Sequence, residues 1–497
     1  MASPALQKEL ASDFALPSRG EVAKLARNGL SWSSGLLVGQ YAISMGSTAI
    51  LARLLSPSDY GLMGMVATFT VFVQAISDFG LSWATVQRET LTRDQIDALF
   101  WVNSGFGILL MAACWLAAPW VSAFYHHPEL TKITAAASMA LLFSAIAVQP
   151  MALMRRQMKL KELSLCNLCG LASSAVLAVF LAFRGFGYWA LIAQLVSSQA
   201  ITTLLSFPFS RYFPRIPQGW ANVGSLLAFG GYSAGYGFIN YFARNLDNVL
   251  VGKFWGAASL GYYSRAYFLM TLPGMMIVGI FSGVLIPAMA SLRKEPVRME
   301  QAYVRALRAI VVVGCSLAVG LAAVSPEAVD FIYGPKWKPV VAILLWLAAA
   351  GILQPIQNMA GWLHIVAEDG RGLFVMGLIV AGSATIAFCL GIHAGPIGVA
   401  RAYAIANTLI AYPVLRMAHN ACGLSMHKTI AEALPLVLCS LIMGGVVWMA
   451  GIGMLKTGFE SHWRLALKIL LGFVTYAVCL RQFARPTYRE ILTQFGI

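Results

Sequence analysis

The segment Asn240-Tyr-Phe-Ala-Arg244-Asn245-Leu-Asp247-Asn248-Val-Leu-Val-Gly-Lys253 places three ionisable and three amide side chains in an otherwise apolar run. An Arg or Asp at the middle of a bilayer costs roughly 2.5–3.5 kcal/mol on insertion scales, so such a residue normally faces a cavity or a partner. Arg244 and Asp247 lie three apart, close enough on a helix to pair with each other. The other reading is a cationic patch that receives an anionic group, with Lys253 one helical stretch further on. Arg265 and Arg401 fall in later apolar runs. Four cations with few acids suit a phosphate-bearing ligand, because the guanidinium presents a planar fork of donors. Arg244, Lys253, Arg265 and Arg401 are therefore the candidate binding residues. Asn240, Asp247 and Asn248 are their candidate polar or ion-coupling neighbours.

Other ionisable groups carry less. Asp78, within Ala75-Ile-Ser-Asp78-Phe-Gly80, is an isolated acid near the inner end of an apolar run. It reads either as a coupling-ion site or as a helix-end residue bonded to local backbone. His364 and Glu368 are four apart, a spacing that suits zinc less well than pairing at the interface. Cys166 and Cys169 form a C-x-x-C with no second pair nearby, and a structural zinc site needs four ligands. No metal site is expected. His126 and His127 read as solvated loop residues. No nucleophile-and-base constellation for catalysis is present.

The elements that must position these groups follow from composition. Of 497 residues, 59% are hydrophobic and 11% charged, with a mean hydropathy of +0.72. A soluble domain would carry roughly 25% charged residues. Apolar runs of about 20 residues recur throughout, the length that a bilayer-spanning helix needs. The chain reads as an all-α polytopic membrane protein of about fourteen transmembrane helices, without a cleavable signal peptide. The net charge of +15 is explained by basic inner loops rather than by nucleic acid. With the N-terminus inside, 23 of the 35 Lys and Arg fall in inner segments, which puts both termini in the cytoplasm.

A repeat organises the helices. Leu51-Ala-Arg53-Leu-Leu-Ser-Pro-Ser-Asp-Tyr-Gly61 overlays Val251-Gly-Lys253-Phe-Trp-Gly-Ala-Ala-Ser-Leu-Gly261 at an offset of two hundred, and Gln149-Pro150 recurs as Gln354-Pro355. Helices 1–6 look duplicated as 7–12. Six is an even number of crossings, so the copies enter the membrane alike, as two parallel lobes about a pseudo-twofold axis along the membrane normal. The expected divisions are 1–27 (cytoplasmic), 28–207 (N-lobe), 208–223 (linker), 224–417 (C-lobe), 418–429 (linker), 430–482 (helices 13 and 14) and 483–497 (cytoplasmic tail). Gly61 and Gly261 are expected to make the equivalent hinge turns of the two lobes. Two lobes leave a seam, and rocking them opens it alternately to each side.

Leu54-Leu-Ser-Pro-Ser-Asp-Tyr-Gly-Leu-Met63 and Ser77-Asp-Phe-Gly-Leu81 resemble the first hairpin of polysaccharide transporters. Asn245-Leu-Asp-Asn-Val-Leu-Val-Gly-Lys253, Leu260-Gly-Tyr-Tyr-Ser264 and Leu285-Ile-Pro-Ala288 resemble the start of their second lobe. The chain thus resembles the polysaccharide transporter family of the multidrug/oligosaccharidyl-lipid/polysaccharide exporter superfamily, nearest its Wzx-type lipid-linked oligosaccharide flippases and the colanic acid exporter-like group. The resemblance implies an inner-membrane flippase for an undecaprenyl-diphosphate-linked oligosaccharide, serving exopolysaccharide or O-antigen synthesis. It implies no cofactor, coupling to a proton or sodium gradient, and a polysaccharide polymerase and chain-length regulator as partners. Two other classes compete. A drug/cation antiporter would want core carboxylates, and a membrane-embedded polymerase or glycosyltransferase would want a sizeable outer loop.

Overall fold

A computed structural model of the chain describes residues 19–77, 85–86, 91–217, 223–455 and 460–484. Asp78 lies outside the described residues, as do the side chains of Asn240 and Arg244. Every long element among the described residues is an α-helix. In chain order these are α1 (Arg19–Leu54), α2 (Pro57–Ser77), α3 (Arg93–Tyr125), α4 (Glu129–Arg156), α5 (Leu160–Phe183), α6 (Trp189–Ser210) and α7 (Val223–Ser291). They continue as α8 (Pro296–Ala323), α9 (Ser325–Tyr333), α10 (Pro339–Val366), α11 (Gly370–Gly391), α12 (Gly395–Cys422), α13 (Met426–Leu455) and α14 (Ser461–Phe483). The run α7 is two helical arms broken at Gly256, whose φ of 77° and ψ of −180° leave the helical region. Its two arms, with the other helices except the nine-residue α9, account for the expected fourteen crossings. Ten helical stretches among the described residues are long and apolar enough to cross a membrane.

Lipid, not water, explains what the helices expose. Leu116, Trp120 and Phe473 each stand about 80% exposed, which a hydrocarbon surrounding permits and water would not. With no water-driven force between helices, close packing on small residues holds the bundle. A Cβ added at Gly107 of α3 would run into Ala145 of α4, and one at Gly444 of α13 would run into Val319 of α8. In the second half, Tyr303, Leu307, Ile310 and Val311 of α8 pack with Met359 and Leu363 of α10, Ala418 of α12 and Leu436 of α13.

The chain divides into two compact units. One comprises the residues up to Asn245 together with Gly256–Ala258, and the other comprises Leu246–Trp255 and the residues from Ser259 onward. The turns of the two halves match at the level of single hydrogen bonds. After α4, the N–H of Lys159 donates to Met154 O (2.9 Å) and Met158 takes a φ of 56°. After α10, the N–H of Asp369 donates to His364 O (2.9 Å) and Glu368 takes a φ of 57°. The caps of α6 and α12 likewise share a left-handed residue, Arg211 and Gly423, followed by a bond from Tyr212 to Phe207 O and from Leu424 to His419 O. Pro150 and Pro355 sit inside α4 and α10. The duplication read from sequence is thus written into the backbone.

The hinge glycines need correction. The duplicated turn falls at the equivalent positions Ser56 and Gly256, whereas Gly61 and Gly261 lie inside helices. In the first copy Ser56 caps α2. The Asp59 carboxylate accepts the Ser56 N–H (2.8 Å) and hydroxyl (2.7 Å), while the Asp59 N–H donates to Ser56 Oγ (3.2 Å), a capping arrangement that needs no glycine. Gly61 serves close approach instead, because a Cβ there would collide with the backbone carbonyl of Ala257 in the same unit.

Candidate functional site

The break at Gly256 folds the second arm of α7 back beside the end of the first, and a carboxylate is set between them. Asp247 is 1% exposed. Its Oδ2 accepts the Tyr263 hydroxyl (2.9 Å) and its Oδ1 accepts the Asn248 N–H (2.8 Å). Tyr263 is itself fully buried and stacks on Tyr267, one helical turn on, at 6.3 Å between ring centroids. Asn248 Oδ1 is buried with no hydrogen-bond partner among the described residues. A buried carboxylate beside an unused amide oxygen is an arrangement that can hold a cation or a proton. Lys253 and Arg265, both half-buried, follow Asp247 on the first arm and Tyr263 on the second, and the Arg265 guanidinium lies 5.4 Å from the Phe268 ring. Arg401 stands exposed near the start of α12. The structure therefore joins Asp247 to Tyr263 and Asn248, and places Arg401 on the surface of its helix.

Two charged groups that sequence reading undervalued are buried elsewhere. Lys468 of α14 donates to Glu327 Oε1 of α9 at 2.7 Å, with both side chains about 5% exposed. Gly451 of α13 leaves the space, since a Cβ there would occupy the Lys468 chain end. In the first unit, Tyr212 donates to Asp97 Oδ1 (2.7 Å), and Asp97 Oδ2 also accepts Arg93 Nε (3.3 Å). One signal was available: Lys468 interrupts an apolar stretch, Leu465-Ala-Leu-Lys468-Ile-Leu-Leu.

His364 and Glu368 do not act together. His364 Nδ1 lies 3.0 Å from Asp369 Oδ2, and Glu368 pairs with Arg293 at 2.9 Å. No group of three or more metal-ligating side chains occurs among the described residues. The turn separates them, since Glu368 is a left-handed residue past the end of α10 and pairs outside the helix with Arg293. Asp369 instead caps α11, accepting the Gly372 N–H at 2.8 Å. That bond, followed by the nearby His364 and Arg371, holds the Asp369 carboxyl below the usual carboxylate range. A lowered value in the folded state means that the cap contributes fully above the ordinary carboxylate pKa and is lost as pH falls through the lowered one. Asp369→Ala should therefore unfold at a lower temperature than wild type at pH 7, with the two melting curves converging in acid. A gap that stays constant down to pH 3 would contradict this.

The family profile described as "Polysaccharide biosynthesis protein" matches residues 50–342, more than half of the chain. The chain belongs to that polysaccharide biosynthesis family. It is similar to the lipopolysaccharide biosynthesis protein WzxC of Escherichia coli K12, 25% identical over 441 residues covering 84% of this chain and 88% of the relative. It is also similar to the succinoglycan biosynthesis transport protein ExoT of Rhizobium meliloti, 26% identical over 370 residues covering 74% and 75%. Among solved structures, the lipid II flippase MurJ in its inward closed conformation superposes with a TM-score of 0.72 at 15% identity, covering 93% of this chain and 99% of that one. The chain thus shares the fold of that flippase, and it is a multi-pass membrane protein. In this member of the family, Asp247 with Tyr263 and Asn248 lies inside the matched region, whereas the Lys468–Glu327 pair joins a matched residue to one beyond it.

Proposed function

We propose that the protein is a flippase, not an enzyme, that carries an undecaprenyl-diphosphate-linked oligosaccharide from the cytoplasmic to the periplasmic leaflet of a bacterial inner membrane. Family membership is the observation that carries the reading, and the MurJ-like fold over nearly the whole chain supports the lipid-linked class of cargo. The chemistry agrees. A diphosphate cannot cross hydrocarbon unaided and needs a polar, cationic route, while its polyprenyl tail can remain in lipid. Arg244, Lys253 and Arg265 are proposed to meet the diphosphate. A twofold-repeated helix set is the kind of architecture that alternating access uses.

Energy enters, in this reading, at Asp247. Its oxygens take neutral donors from Tyr263 and Asn248, and the free Asn248 Oδ1 supplies a further ligand for a sodium ion or a route for a proton. The test is direct. Full-length protein reconstituted in vesicles is given a fluorescent polyprenyl-diphosphate oligosaccharide on one leaflet, with and without an imposed sodium or proton gradient. Gradient-stimulated transfer of that lipid, with no transfer of cationic dyes, is the expected result. Dye export without glycolipid transfer would assign the protein to drug/cation antiport instead.

A further inference from the structure

The matched turns of the two halves carry opposite charge. The turn after α10 is acidic, with Glu368 and Asp369, whereas its counterpart after α4 reads Arg155-Arg-Gln-Met-Lys159-Leu-Lys161. Thr202 Oγ1 of α6 donates to Cys166 O of α5 (3.5 Å) and a Cβ at Gly170 of α5 would meet Ser198 and Thr202 of α6, so the two helices run antiparallel and Lys159, at the start of α5, lies beside Arg211, the left-handed cap that ends α6. Burial and that neighbour lower the Lys159 ammonium pKa, against a smaller opposing pull from Glu162. Holding two cations together at a turn is costly unless an anion joins them. Lys161 stands 4.7 Å over the ring of Trp32 of α1, which is itself largely exposed. Beyond Arg211 the chain is strapped to α3. Arg93 donates to Phe213 O, and Trp101 Nε1 donates to Arg215 O at 2.9 Å. The strap leaves Phe213 64% and Ile216 84% exposed. Cations at a helix end, flanked by fixed, outward-facing apolar groups, match the boundary between lipid headgroups and acyl chains.

We propose that Lys159, Lys161 and Arg211 bind the phosphate of an anionic phospholipid in the leaflet at that end of the helices, with Trp32, Phe213 and Ile216 seated in the acyl boundary beside it. The site lies wholly in the first unit, whereas Asp247 belongs to the second. It depends on the proposed function only for naming the leaflet as the inner one. Charge complementarity selects the lipid, since one acid, Glu162, acts on Lys159 against these cations. The strap explains why the apolar groups face outward. Asp97 and Tyr212 fix the first residues of the linker to α3, Phe213 stacks on Phe207 of α6, and both Phe213 and Ile216 stand exposed there.

Native mass spectrometry of the full-length protein with added phosphatidylglycerol or phosphatidylcholine tests this. Three cations near a headgroup, at about 1 kcal/mol each, are expected to favour phosphatidylglycerol roughly a hundredfold at low salt. Lys159→Gln with Arg211→Gln leaves only Lys161 of the three and should cut that ratio to roughly fivefold, while Arg416→Gln, far along the chain in α12, should leave it unchanged. Equal retention of both lipids by wild type would overturn the proposal, as would an undiminished ratio in the double variant. Geranylgeranyl diphosphate displacing the bound phosphatidylglycerol at equimolar concentration would also overturn it, by assigning the site to the cargo. If the double variant fails to fold, raising salt to 1 M on wild type serves instead. Screening should then abolish the preference, and a preference that survives would sink the proposal.

Discussion

Lys468→Met will destabilise the protein by about 3–5 kcal/mol, the cost of leaving one partner of a buried ion pair without its mate. Glu327 then keeps a buried charge whose Oε1 has lost its ammonium partner and whose Oε2 has no hydrogen-bond partner among the described residues. Its place in the first turn of α9 offsets part of this, because a helix N-terminus favours an anion. The double change Lys468→Met with Glu327→Leu should recover most of the loss, since a well-packed apolar pair of similar volume is often as stable as the ion pair. Thermal unfolding of the detergent-solubilised protein reads both. The pair fastens α14 to α9, so the single variant should also expose α14 to limited proteolysis before the rest of the chain. If the single and double variants melt together, the pair contributes nothing and α14 is held by apolar packing alone.

Asp247→Asn should abolish gradient-driven transfer while leaving the fold intact. Asparagine fits the same volume, keeps a carbonyl oxygen for the Asn248 N–H and can donate its NH2 to the Tyr263 hydroxyl, which accepts as well as donates, but it can neither release a proton nor neutralise a cation. The expected outcome is transfer at the gradient-free rate, with a melting temperature close to wild type. Asp247→Ala differs, because it strands the buried Tyr263 hydroxyl at a cost of about 1–3 kcal/mol. Adding Tyr263→Phe to Asp247→Ala should restore stability without restoring transfer. That double variant separates the structural role of the carboxylate from its functional one. Transfer by Asp247→Asn that still responds to the gradient would remove Asp247 from coupling.

Composition and periodicity were enough for the class of molecule, because a helix that crosses lipid must be apolar over about 20 residues whatever it packs against. The same holds for the duplication. Offsets of 200 to 210 in sequence become matching Schellman-type caps at Met158 and Glu368, since such turns are built from local backbone bonds. Local rules also explain the error at Gly61. A glycine near a turn is a sound signal, but Ser56 with Asp59 supplied a cap of another kind, and the glycine was needed for close approach to Ala257.

Partners across the fold were another matter. Asp247 was singled out from its cost in lipid, yet sixteen residues separate it from Tyr263, and only the break at Gly256 brings them together. Lys468 meets Glu327 across 141 positions, and Tyr212 meets Asp97 across 115. The chain by itself determined an all-helical, twice-repeated membrane protein with costly charges in its second half, because hydropathy and turn chemistry act over a few residues at a time. Which charge meets which was decided by tertiary structure alone, since a buried pair is selected by the space that helices leave on packing, as Gly451 leaves it for Lys468.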